Sequence, residues 1–254
     1  ADINSDPRNP VIGTRSFGAD PDLVARHTTA YVSGLASQGV AASVKHFPGH
    51  GDTSTDSHLG LPRVTASAGV LRARELVPFT AVVDETATMM TSHVLLEAFD
   101  DDQPATLSRA VLTGLLRDEL GFAGVIVTDA LDMAGASARH GIGGAAVLSL
   151  AAGADLLCLG PEHTSSPRAI EEAVGAVCRA VEAGDLPLAR LAEAAKRVDV
   201  LRETWSAITV RDDAQDVVVR RVDVEQVHPR RGHHHVAGRQ LGHADHPFEH
   251  HPRF

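Results

Sequence analysis

Val40-Ala41-Ala42-Ser43-Val44 runs directly into Lys45-His46-Phe47-Pro48-Gly49-His50-Gly51, and this junction decides the fold class. Val40–Val44 is expected as a short strand. It lacks polar alternation, which points to burial on both faces, as in a parallel sheet covered by helices. The pattern recurs outward from it. Thr88–Ser92 precedes His93, Gly124–Thr128 delivers Asp129, and Ala154–Leu159 forms a further apolar run. Helical signals separate these runs. Asp20-Pro21 is an N-cap followed by an N1 proline, opening a helix that ends at Gly39. Ser108 caps a helix whose stripe is Val111, Leu112, Leu115 and Leu116, closed by Gly121. Ser166-Pro167 starts another, with Ile170, Val174, Val177 and Val181 on one face and Gly184 at its end. A last helix carries Leu188, Leu191, Ala195, Val198 and Leu201.

Strand–helix alternation suits either a doubly wound sheet or a (β/α)8 barrel. Lys45, His46, His93 and Asp129 gather just after the strands, where barrels carry their active sites, although open α/β sheets do likewise. Only four strands are clear. The expectation is α/β, a (β/α)8 TIM-type barrel that is incomplete, with its first strands missing and a disordered C-terminal tail.

Composition narrows the function classes. An apolar fraction of 43% in 254 residues excludes wholesale disorder, and a net charge of −10 argues against nucleic-acid binding. Two cysteines cannot build a disulfide framework. The longest weakly polar stretch, Gly141 to Gly160, contains Asp155 and a break at Ala152-Gly153, so a helix followed by a buried strand explains it better than a membrane span. After Trp205 the character changes: residues 206–254 form a His- and Arg-rich segment with no periodic apolar face. His233-His234-His235 and His250-His251 could attract metal, but no zinc-ligand spacing with cysteine accompanies them, and no cofactor or metal is expected.

The densest cluster of reactive side chains is Lys45 to His58, KHFPGHGDTSTDSH. Metal ligation by its His and Asp residues is one reading, but helical His-x-x-x-His geometry fails on a Gly-Pro loop. The other reading is a proton-transfer pair. Asp56 and His58, two residues apart in an extended loop, point to the same side, so the carboxylate can fix the imidazole tautomer and aim its other nitrogen at a substrate. Such an imidazole serves as general acid and then base. Asp129, at a neighbouring strand end, is the complementary ionised carboxylate.

Lys45-His46-Phe47-Pro48-Gly49-His50-Gly51-Asp52 with Asp56-Ser57-His58 resembles the signature of glycoside hydrolase family 3, in its β-N-acetylglucosaminidase branch. Val125-Ile126-Val127-Thr128-Asp129-Ala130-Leu131-Asp132-Met133 is similar to that family's nucleophile segment, and Asp2-Ile3-Asn4-Ser5 with Asn9–Gly18 is similar to the loop after its third barrel strand. The likeness covers Ala1 to about Trp205. It implies a retaining double displacement, with Asp129 as nucleophile and the Asp56–His58 pair as general acid/base. It further implies that Lys45, His46 and Arg15 hold sugar hydroxyls, that His93 is a structural neighbour, and that His50 and Asp52 shape the loop.

The resulting expectation is a partial catalytic barrel over residues 1–205 and a separate tail over 206–254. The partner is an oligosaccharide or muropeptide, with no nucleic acid and no membrane span; the compartment stays open between cytoplasm and export. The alternatives are a glycoside phosphorylase, a non-catalytic remnant or sugar-binding fragment, and a metal-binding protein acting through its tail.

Overall fold

Six strands punctuate the described residues: β1 (Ser43–Phe47), β2 (Arg63–Val64), β3 (Thr88–Thr91), β4 (Leu95–Leu96), β5 (Val125–Ala130) and β6 (Leu156–Cys158). The helices are α1 (Pro21–Ser37), α2 (Ala68–Ala73), α3 (Val77–Thr80), a π-type helix (Ala110–Glu119), α4 (Ala134–Ser137), α5 (Gly141–Ala152), α6 (Pro167–Ala183) and α7 (Leu188–Trp205). The computed structural model describes residues 1–6, 9, 11–53, 60–160 and 167–205. Ser166 and the segment 206–254, for which a helix start and a tail were expected, lie outside the described residues.

The main sheet runs β1-β3-β5-β6 with every pair parallel, and β2 pairs with β4 in a separate two-stranded parallel ladder. This order settles the choice left open by the strand pattern. Each main strand lies beside its successor, with no reversal of order of the kind that splits a doubly wound sheet. The fold is α/β of the TIM-barrel type, and the strands of the main sheet form an arc of it.

Strand boundaries move in an informative way. β1 begins at Ser43, three residues later than Val40, and extends through Phe47. Gly39 takes φ +71° and the Val40 N–H still bonds Leu35 O at 3.0 Å, so Val40 completes the cap of α1. At the other end, pairing of Phe47 with Thr91 draws Lys45 and His46 into the strand. β5 likewise includes Asp129. The register shifts between Val44 and Phe47 on β1, and between Val127 and Ala130 on β5. Both irregularities bracket the residues expected to do chemistry, as bulges near active sites commonly do.

Capping follows the sequence signals. The Asp20 side chain accepts from Leu23 N–H at 2.7 Å, and Ser108 Oγ accepts from Val111 N–H at 3.3 Å. The helix after Ser108 buries the expected stripe of Val111, Leu112, Leu115 and Leu116, but its turns are wide: Leu120 N–H bonds Leu115 O at 2.9 Å. The core beneath the sheet joins Phe47 and Phe79, edge to face at 5.4 Å, with Met89, Leu112, Phe122 and Ile126.

Two expected faces are corrected. On α6, Ile170 and Val174 are half exposed, and Ala169, Ala173 and Ala180 are buried instead. A Cβ built on Gly143 would stand 2.8 Å from Ala176 Cβ, so α5 and α6 meet through small residues. That close approach leaves Ile170, Val174 and Val177 lining an apolar cavity of about 510 Å³ with Leu131, Leu157 and Leu159. On α7, Leu188 and Ala195 are exposed while Ala194 is buried. This helix is anchored by charge: Arg190 and Arg197 reach the fully buried Asp155 carboxylate at 2.6 and 3.3 Å. Arg117 joins them, and burial lowers its pKa to about 10, against the pull of Asp155. The expected helix and strand over Gly141–Gly160 are present, with Gly153 between α5 and β6, but β6 is not the buried strand expected, Leu156 being exposed; no helix among the described residues is long and apolar enough to cross a membrane.

Candidate active site

The C-terminal ends of β1, β3, β5 and β6 present Lys45 and His46, His93, Asp129 and Cys158 respectively. Burial sorts them into groups that face outward and groups that support. Lys45 is exposed and Asp129 partly so, whereas His46, His50 and His93 are buried. Burial raises the Cys158 thiol, as do the negative charges of Asp129 and Asp132, while Lys45 pulls it the other way. Lys45, Asp129, Asp132 and Cys158 thus share one electrostatic neighbourhood at the mouth of the sheet.

His46 and the following loop are organised by Asp2. One Asp2 oxygen lies 2.7 Å from His46 Nδ1 and accepts the His46 backbone N–H at 3.1 Å. The other accepts the His50 N–H at 2.7 Å. Burial opposes ionisation of this carboxyl, but hydrogen bonding to His46 and the His46 charge outweigh it and hold Asp2 well below the usual carboxylate range. The peptide bonds Lys45–His46 and Phe47–Pro48 are both cis.

The turn at His50–Thr53 is locked from a second direction. Asn9 donates to the carbonyls of His50 and Thr53, each at 2.9 Å, and accepts from Ile12 N–H at 2.7 Å. His50 Nδ1 sits 2.8 Å from Thr53 Oγ1, and burial pushes the His50 ring toward its neutral form. Gly51 is required by space: a Cβ there would fall 1.6 Å from Ile3 O. Asp52 pairs with Arg74, which also holds Glu75 at 2.6 Å.

Arg15 is exposed, and its guanidinium donates to Val11 O through Nη2 at 2.7 Å and Nε at 3.1 Å. It lines a cavity of about 360 Å³ together with Lys45, Phe17 and Tyr31. The two cations expected to hold sugar hydroxyls therefore border one cavity. Asp129 Oδ1 accepts the Ala130 N–H at 2.8 Å, which fixes one carboxylate oxygen. Asp56 and His58 lie outside the described residues. No group of three or more His, Cys, Asp or Glu side chains among the described residues is arranged to hold a metal ion.

The sequence placed Asp2 and Asp132 in segments resembling functional loops without assigning them a role, and it did not single out Thr91 or Thr106. Asp132 is buried with Oδ1 accepting Gly160 N–H at 2.7 Å, while its Oδ2 has no hydrogen-bond partner among the described residues. The resemblance of Asp2-Ile3-Asn4-Ser5 to a loop at a strand end was the signal that pointed to Asp2.

A parallel α/β arc with acid, lysine and histidine at its carboxyl ends defines the class, a TIM-barrel-type protein with an enzyme-like mouth. Residues 1–201 match the model of the glycosyl hydrolase family 3 N-terminal domain, and the chain belongs to that family. Beta-hexosaminidase A of Pseudoalteromonas piscicida is 36% identical over 216 residues, covering 79% of this chain and 36% of that protein. The structure of a glycoside hydrolase family 3 β-N-acetylglucosaminidase from Paenibacillus sp. str. FPU-7 superposes with a TM-score of 0.78 at 41% identity, over 86% of this chain and 42% of that one. Beta-glucoside phosphorylase BglX superposes with a TM-score of 0.75 at 28% identity, over 83% and 39%. The chain thus spans well under half the length of these relatives.

Proposed function

We propose that this chain carries the catalytic groups of a retaining glycoside hydrolase that releases terminal β-linked N-acetylglucosamine from an oligosaccharide or muropeptide. Residues 1–205 are the catalytic unit in this reading, and 206–254 take no part. The observation that carries it is the shared neighbourhood of Asp129 and Lys45 at the carboxyl ends of the sheet, in a family whose similar members are named β-hexosaminidases. The Asp129 carboxylate attacks the anomeric carbon as the glycosidic C–O bond breaks, and His58 gives its proton to the leaving oxygen. Asp56 orients that imidazole. His58 then takes a proton from water, whose oxygen displaces Asp129 and releases the sugar with its configuration retained. Lys45, His46 and Arg15 hold the ring hydroxyls, so the reacting carbon is presented to Asp129 in a productive pose.

Hydrolysis of an aryl N-acetyl-β-glucosaminide tests this. Asp129→Ala and His58→Ala are each expected to lower kcat by at least about 100-fold, the scale of a lost acid/base or nucleophilic group. Unchanged turnover in either variant contradicts its role. A second reading, glycoside phosphorolysis, is favoured by the likeness to the β-glucoside phosphorylase and by a neutralisable His as acid/base, which tolerates an anionic acceptor. A rate that rises with added phosphate and yields a sugar 1-phosphate selects it; free sugar at an unchanged rate selects hydrolysis.

A further inference from the structure

Three side chains without measurable exposure stand near Asp129 and have no part in that reaction: Thr91 at the end of β3, His93 just beyond it, and Thr106 in the turn Ala105–Leu107. Their polar atoms form a chain that starts and finishes on β5. The Asp129 N–H donates to Thr91 Oγ1 at 3.3 Å. Thr91 Oγ1 lies 2.7 Å from Thr106 Oγ1, which lies 2.9 Å from His93 Nδ1. His93 Nε2 closes the ring at 2.8 Å from the Ala130 carbonyl.

The Ala130 carbonyl only accepts. Nε2 must therefore carry a proton. Burial favours the neutral ring; the Asp129 carboxylate opposes this, and His50 and His46, the other titratable groups acting on it, reinforce it. A neutral ring protonated at Nε2 offers Nδ1 as an acceptor for the Thr106 hydroxyl. Thr106 in turn accepts from Thr91, and Thr91 accepts from Asp129. The Ser92 carbonyl, 2.8 Å from Thr106 Oγ1, shares the Thr106 proton. The backbone is thus gripped at the N–H of Asp129 and at the carbonyl of the next residue, and the Ala130 N–H between those points binds the Asp129 carboxylate itself.

We propose that His93 is a positioning residue: through the Thr91–Thr106–His93 ring it orients the Asp129 carboxylate toward the anomeric carbon without touching the sugar. This rests on the reading of Asp129 as nucleophile. Displacing a reacting group by about 1 Å costs on the order of 100-fold in rate, so a ring of this kind shows in kcat rather than in sugar affinity.

The test compares the full chain with His93→Ala, His93→Gln and Thr106→Val, with rates normalised to the folded fraction. His93→Ala is expected to lower kcat about 10- to 100-fold with KM within about twofold. The Gln amide can still donate to the Ala130 carbonyl and is expected to recover part of the loss; Thr106→Val is expected to lower kcat in the same sense. Equal kcat per folded molecule across the series overturns the positioning role. Nitrogen NMR of His93 reads the ring independently of turnover, with Nε2–H neutral imidazole expected at neutral pH. A charged ring or an Nδ1–H tautomer overturns the ring even in an active protein. A parent chain with the expected tautomer but no glycosidase activity instead overturns the reading of Asp129, and the positioning role with it.

Discussion

Asp2 shows how one carboxylate governs a site it does not enter. Its two oxygens hold two backbone N–H groups and one imidazole, so charge and hydrogen bonding act together on the loop bearing His46 and His50. Asp2→Asn keeps the shape but removes the charge and one acceptor. It is expected to cost roughly 1.5–3 kcal/mol at neutral pH, the range for hydrogen bonds to a charged group, measurable by urea unfolding. The pH dependence has a definite sign. The folded-state pKa of Asp2 lies below its unfolded value, so its stabilisation is complete above about pH 4 and is withdrawn as pH falls through the acid range. His50 and His93 act earlier. Their folded pKa values are lowered by burial, so below about pH 6.5 the unfolded chain takes up protons that the folded chain refuses. Stability should therefore decline in two stages on acidification, and Asp2→Asn should diminish only the more acidic one. A single acid transition unaltered by the substitution contradicts this assignment.

At the scale of elements, strands and caps were legible because local chemistry determines them. Asp20, Pro21 and Gly39 bound α1, and apolar runs without alternation marked β3, β5 and β6. What local chemistry does not contain is which neighbour each face meets. Ile170 and Val174 have helical spacing, but α5 presents small residues, and the alanine row of α6 packs there instead. Asp155 was similarly opaque. It interrupts an apolar strand for a reason that lies in Arg117, Arg190 and Arg197, residues 35 to 42 positions away. Removing this fully buried carboxylate takes the shared counter-charge from Arg117, Arg190 and Arg197 and leaves Glu193 as the acid paired with the last two. Asp155→Ala is accordingly expected to destabilise by about 3–5 kcal/mol, detected as a lower urea midpoint. A change below about 1 kcal/mol would mean the cluster is solvated.

For the whole molecule, the strand order β1-β3-β5-β6 explains why residues distant in sequence become one site. Parallel strands joined by covering helices deliver all their carboxyl ends to the same side, so Lys45, His93, Asp129 and Cys158 converge without any local contact specifying it. The sequence revealed the ends because polar residues stood out after apolar runs. It concealed the roles of Asp2, Thr91 and Thr106 because each is chosen by a partner in another element; the Asp2–His46 contact spans 44 positions. As the proposed nucleophile, Asp129 becomes covalently bonded to the sugar. Incubating the full chain with a slowly turned-over 5-fluoro-N-acetylglucosaminyl fluoride, followed by peptide mass analysis, tests it directly. The account predicts one glycosyl adduct, on the peptide containing Asp129 and absent in Asp129→Ala. An adduct on another residue, or hydrolysis of the fluoride with no adduct at Asp129, would contradict it.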